Sequence, residues 1–189
     1  MPRKPYDYYK TKAKIIEPIK PMVSFISQSE TTYIDPCAGD NVILETLGVE
    51  PHESITNDID KLHNKCDLHL DATDPVTWDD YLMTHGNHSI CITNPPFNQA
   101  FEILQHAYDR CDYVVLLLRL SFLEPTRARS EFLSKCPPFQ IMVTPRIKFD
   151  PDSKGSDTVT TAWMFWSRHT LTNPFFDPRI SVIPNWRVQ

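Results

Sequence analysis

The chain has 189 residues, enough for one domain whose core needs neither a disulfide nor a metal. A composition of 41% hydrophobic and 23% charged residues is that of a globular protein, and no apolar run is long enough to cross a bilayer. The net charge of −5 joins unlike parts: residues 1–20 carry an excess of four positive charges, residues 30–112 of thirteen negative and residues 119–154 of three positive.

Seven β-rich runs alternate with helical stretches. After an N-terminal segment with helical character, Thr32–Ile34 leads into Asp35-Pro36-Cys37-Ala38-Gly39-Asp40-Asn41 and a helix-compatible stretch, Val42–Leu47. Ser54–Asn57 ends at Asp58-Ile59-Asp60, Asp67–Leu70 at Asp71-Ala72, and Ser89–Thr93 at Asn94-Pro95-Pro96-Phe97. An amphipathic helix is predicted over 98–109, and the continuously apolar Tyr113–Leu118 reads as a central strand covered on both faces. A polar helix near 126–135 precedes two late strands, Ile141–Val143 and Thr160–Trp166, which flank a loop at 149–157. The alternation predicts an α/β fold with a mostly parallel sheet and an antiparallel pair at its end.

Ligands of such sheets bind at the carboxyl ends of the strands, and here those ends carry DPCAGD, NDID, LDA and TNPPF along one rim. Asn94-Pro95-Pro96-Phe97 is the most pointed of them. Prolines fix the backbone and donate no hydrogen bonds, so a Pro carbonyl beside an Asn side-chain oxygen gives two acceptors for one exocyclic NH2 group. Phe97 adds an aromatic face for a planar base or amide. Taken alone, the tetrapeptide is equally well a rigid turn between strand and helix. Gly39 permits close approach of a ligand to the backbone, and Asp58, at the end of the second strand, suits two ribose hydroxyls. Ile59 can cover an adenine and Asp71 can accept its amino group. His63, Cys66 and His69 lack a fourth ligand at sensible spacing, so no metal is expected. The five scattered cysteines contain no C-x-x-C, and the basic start MPRKPYDYYKTK has no apolar stretch behind it. Both point to a cytoplasmic protein without a secretory signal or membrane association.

DPCAG followed 59 residues later by NPPF resembles the S-adenosylmethionine-dependent adenine-N6 DNA methyltransferases, in the arrangement with the cofactor motif before the catalytic one. Tyr9-x-Thr11 resembles the aromatic-Thr-Pro that this family often places against the cofactor, with Lys12 in place of the Pro. Asn41 replaces the family's second glycine, and Asn tolerates the left-handed conformation. The resemblance covers residues 8–166 and implies a Rossmann-like class I methyltransferase fold, a mostly parallel seven-stranded sheet with a C-terminal antiparallel hairpin. It implies one domain, with residues 1–30 as a helical segment touching the cofactor, 31–170 as the core and 171–189 as an extension. Tyr9, Thr11, Asp35, Pro36, Cys37, Ala38, Gly39, Asp58, Ile59, Asp71, Ala72 and Asn94 would bind S-adenosylmethionine. Asn94 and Pro95, with Pro96 and Phe97, would carry catalysis. Phe97 and Phe149 would clamp a flipped base, and Arg127, Arg146 and Lys148 would contact nucleic acid, with DNA the expected partner. Phe149 as a core residue and the basic side chains as solvated surface are the competing assignments.

No separate target-recognition domain is expected, which resembles stand-alone and phage methyltransferases, so the expected setting is a bacterial or phage-infected cell. Three alternatives stay open. An rRNA base amino group or a protein glutamine amide presents a similar planar NH2, and a catalytically inactive nucleic-acid-binding protein would keep the same fold.

Overall fold

The computed structural model describes residues 11–62, 65–82, 88–124, 126–145, 160–169 and 179–182. Helices α1 (Ala13–Ile16) and α2 (Lys20–Ile26), joined by a 3-10 turn, precede strand β1 (Thr31–Asp35) and helix α3 (Val42–Leu47). Strand β2 (Ser54–Thr56), helix α4 (Pro75–Leu82), strand β3 (His88–Thr93), helix α5 (Ala100–Arg110) and strand β4 (Tyr113–Arg119) follow. Helix α6 (Arg127–Lys135) leads to strands β5 (Gln140–Val143), β6 (Thr161–Ser167) and β7 (Arg179–Val182).

The sheet order is β2-β1-β3-β4-β6-β5-β7. Strands β2, β1, β3 and β4 run parallel, and β6 pairs antiparallel with both β4 and β5. Six of the expected strands are present. The run Asp67–Leu70 is not a strand: it contributes one isolated bridge, Asn57 to Leu68. The reason is local. The Asp67 carboxylate accepts both the backbone N–H and the hydroxyl of Thr56 at 2.8 Å, so a side chain occupies a donor that a ladder would use. The far edge is formed instead by β7, in the stretch expected to be an extension, pairing parallel with β5. Helix α4 was also unforeseen, although Asp74-Pro75 is a capping pair: Asp74 Oδ1 accepts the Val76 N–H at 2.9 Å.

Alternation along the central strands divides two cores. Val114, Leu116 and Leu118 of β4, with Ala162, Met164 and Trp166 of β6, meet Ile103, Leu104 and Ala107 of α5 and Trp78 of α4. Val115 and Leu117, with Trp163 and Phe165, meet Ile15, Ile16, Ile19 and Val23 of the N-terminal helical segment and Ile43 and Leu44 of α3. Covering both faces is what makes these strands apolar throughout. The Trp163 indole donates to the Ile15 carbonyl at 2.8 Å and so ties the N-terminal segment to the sheet.

Candidate active site

Strands β1, β2 and β3 end on one rim around a cavity of about 210 Å³. The loop after β1 is shaped by two left-handed residues, Gly39 at φ 53° and Asn41 at φ 62°. An Asn at the second position therefore keeps a turn that most residues would strain. This loop contributes Pro36, Cys37, Ala38 and Asp40 to the lining, and Val42 and Ile43 of α3 continue it.

The end of β2 holds that loop in place. Asp58, 8% exposed, accepts the Gly39 N–H through Oδ2 and the Asp60 N–H through Oδ1, each at 2.9 Å. Asn57 is almost completely buried; its Nδ2 donates to the carbonyls of Pro36 and Leu70, and its Oδ1 accepts the Leu70 N–H. One side chain thus joins two cavity walls. His69 Nδ1 donates to the Asp58 carbonyl at 2.9 Å, and the Cys66 thiol points at the Gly39 carbonyl at 3.7 Å, so both act as braces of the same loops. Ile59 and Asp60 on one side and Leu70, Asp71, Ala72 and Thr73 on the other complete this wall. Ala72 is fixed from behind by the Trp78 indole, which donates to its carbonyl at 2.8 Å.

After β3, Asn94, Pro95 and Pro96 close the cavity together with Gln99 and Ile103 of the α5 region. The Pro96 carbonyl accepts the Gln99 N–H at 2.9 Å, which sets the turn into α5. Asn94 Nδ2 donates to the Thr11 hydroxyl at 3.1 Å, bringing a residue 83 positions away to the same mouth. Phe97 stands beside the lining and is half-buried, with the Arg119 guanidinium 4.5 Å from its ring centroid.

Asp35 lies behind the cavity wall, fully buried, with Oδ1 accepting the Cys37 N–H at 3.2 Å. Its Oδ2 and the nearby Thr93 hydroxyl are both buried, and the hydroxyl faces the carboxyl. Burial pushes the Asp35 carboxyl up to about 7, opposed by Thr93 and the Cys37 N–H, while the charge of Asp58 adds to the rise. Burial likewise raises the Cys37 thiol far above its usual value, so it is a neutral wall and not a nucleophile.

Of the residues named from sequence, the structure gathers Thr11, Pro36, Cys37, Ala38, Asp58, Ile59, Asp71, Ala72, Asn94, Pro95 and Pro96 around one cavity. Asp35, Gly39 and Phe97 lie outside its lining. Arg127 is absent from the lining as well: it sits on α6 with its side chain 94% exposed and paired to Glu131 of the same helix at 3.3 Å. Tyr9, Arg146, Lys148 and Phe149 lie outside the described residues. Sequence reading missed Asp40, Asp60, Thr73 and Gln99 in the lining, and it read Asn57 only as a strand residue. Asp40 and Asp60 each adjoin a motif and were within reach of it; Gln99 and Asn57 are revealed only by tertiary contacts.

No family model matches the chain, and no curated protein is similar to it in sequence. Solved structures are similar in fold. The M protein of the type I restriction enzyme EcoKI superposes with a TM-score of 0.63 at 16% identity, over 88% of this chain and 45% of that one. A type I restriction-modification methyltransferase subunit from Streptococcus thermophilus gives 0.61 at 12% identity, over 86% of this chain and 45% of that one. The 23S rRNA methyltransferase ErmE gives 0.55 at 11% identity, over 86% and 70%. The chain spans about 45% of the length of the two type I subunits. The fold is therefore the Rossmann-like α/β fold of methyltransferases.

Proposed function

We propose that the protein is an S-adenosylmethionine-dependent methyltransferase acting on the N6 amino group of adenine in DNA. The observation that carries this reading is the position of Asn94 and Pro95 at the mouth of an acidic, partly apolar cavity formed by three strand ends. The residues present suit the cofactor. Asp40, Asp58, Asp60 and Asp71 favour a ligand with sulfonium and ammonium charges, and Ile59, Ala72 and Ile103 offer apolar surface to an adenine. When bound, the cofactor supplies a methyl group on a sulfonium sulfur.

The chain's own part is positioning. The bond from Asn94 Nδ2 to Thr11 fixes the amide plane and turns Oδ1 to the opposite side. There Oδ1 and the Pro95 carbonyl accept the two hydrogens of the target amino group, which directs the nitrogen lone pair into the cavity. Phe97 stacks on the base, which has left its duplex partner. No dedicated strong base is required. The setting proposed with this activity is the cytoplasm of a bacterial or phage-infected cell.

Transfer of tritiated methyl groups to DNA, ribosomal RNA and protein tests this reading, with the modified residue identified after digestion. The expected product is N6-methyladenine in DNA. Label on an RNA base or a glutamine amide would replace the substrate. Cofactor binding without transfer to any of the three would leave a binding protein.

A further inference from the structure

Arg119 ends β4 just where the catalytic turn leaves β3. The two strands are parallel and in register at Thr93 and Leu116, so residue 119 emerges beside Pro96 and Phe97. Its guanidinium lies over Phe97, 4.5 Å from the ring centroid, and its Nε is buried without a hydrogen-bond partner. The neighbouring arginines are used differently. Arg110 pairs with Asp79, Arg127 with Glu131 and Arg168 with Asp112, while Arg129 donates to the Phe122 carbonyl and the Thr126 hydroxyl. Among the described residues no carboxylate pairs with Arg119, and its Nε has no acceptor. A half-buried guanidinium with unused donors is costly, and an anion brought by the substrate removes that cost.

We infer that Arg119 binds a backbone phosphate next to the target nucleotide, while its planar face braces Phe97 against the base. A guanidinium offers two parallel N–H donors to a phosphate and stacks on an aromatic ring at the same time, which a lysine cannot do. The inference rests on the proposed DNA substrate and deepens it. A glutamine amide in a protein brings no such anion, so Arg119 favours a nucleic acid over a protein.

Fluorescence anisotropy of a short labelled oligonucleotide of mixed sequence tests the assignment, in single- and double-stranded form, with S-adenosylhomocysteine present and salt varied. Arg119→Gln is expected to weaken binding about tenfold and to lower the log–log salt slope by roughly one, the share of a single phosphate contact. Arg119→Lys is expected to keep the slope and recover part of the affinity, which also controls for misfolding. Weaker binding of Arg119→Gln at an unchanged slope would mean that the residue only braces Phe97, and unchanged binding would remove it from the interface; either overturns the inference and leaves the DNA reading standing. Failure of the unmodified protein to bind DNA, with methyl transfer to a protein amide, would overturn the DNA reading and this assignment with it.

Discussion

Replacing Asn57 should unfasten the loops that wall the cavity while leaving the identity of every lining residue unchanged. Its side chain makes three hydrogen bonds, to the Pro36 carbonyl and to the carbonyl and N–H of Leu70, from a position only 1% exposed. At about 1 kcal/mol net for each, Asn57→Ala should cost roughly 3 kcal/mol, and more where a former partner stays dry. For a domain of this size that corresponds to a fall in Tm of very roughly 6–12 °C. Asn57→Asp keeps the shape but turns an acceptor oxygen toward two carbonyls, so it should cost at least as much as the alanine. Urea unfolding followed by circular dichroism gives the stabilities, and calorimetry with S-adenosylmethionine gives the effect on the loops. A loss below about 1 kcal/mol for the alanine variant at an unchanged denaturant slope would refute the reasoning. So would a near-neutral Asn57→Asp, because shape alone would then account for the residue.

Asn94→Ala should lower turnover by more than tenfold, about 1.4 kcal/mol of barrier, while cofactor affinity stays within a few fold; single-turnover methyl transfer and calorimetry separate the two. Asp58→Ala should weaken cofactor binding by ~1–3 kcal/mol and also destabilise the loop after β1, since Gly39 and Asp60 lose their acceptor; unchanged affinity in a folded variant would exclude Asp58 from the site. The Asp35 carboxyl is raised from 3.8 to about 7 by burial, so its share of stability is full below pH 3.8 and is lost as the pH rises through about 7. Asp35→Asn should remove that loss, seen as a flatter stability profile between these values. A cationic ligand favours the ionised form, so affinity for S-adenosylmethionine should fall several-fold below pH 7 in the unmodified protein and stay level in Asp35→Asn, as measured by calorimetry across that range.

The rim was legible because polar residues interrupt β-rich runs at Asp35, Asp58 and Asn94, and topology puts these parallel strand ends together, while Asp71 reaches it from a loop bridged to Asn57. Thr11 could be named only through resemblance; no local pattern links it to Asn94, 83 positions away. Asp67–Leu70 misled because its composition suits a strand, whereas the Asp67 side chain takes the Thr56 donors that would have extended the ladder. Arg127 was chosen on charge alone, and the structure places it outside the cavity lining. Charge density marks a basic segment, but α6 turns this side chain to Glu131 and solvent. Arg119 and Asn57 are ordinary letters in the sequence, and what sets them apart is which neighbours they have or lack in three dimensions.

The bond from the Trp163 indole to the Ile15 carbonyl spans 148 positions and has a consequence for the order of assembly. During synthesis the N-terminal helices emerge first, yet the sheet face that receives them includes β6, among the last strands to be made. Until β6 has docked, the segment that carries Thr11 has only its contacts with β3, β4 and α3 and lacks the Trp163 tie. A nascent chain can therefore contain every motif of the site and still lack that tie. Ribosome-bound chains arrested before residue 161 should have DPCAG and NPPF in place, but the bond that ties the N-terminal helices to β6 should form only once Trp163 is available.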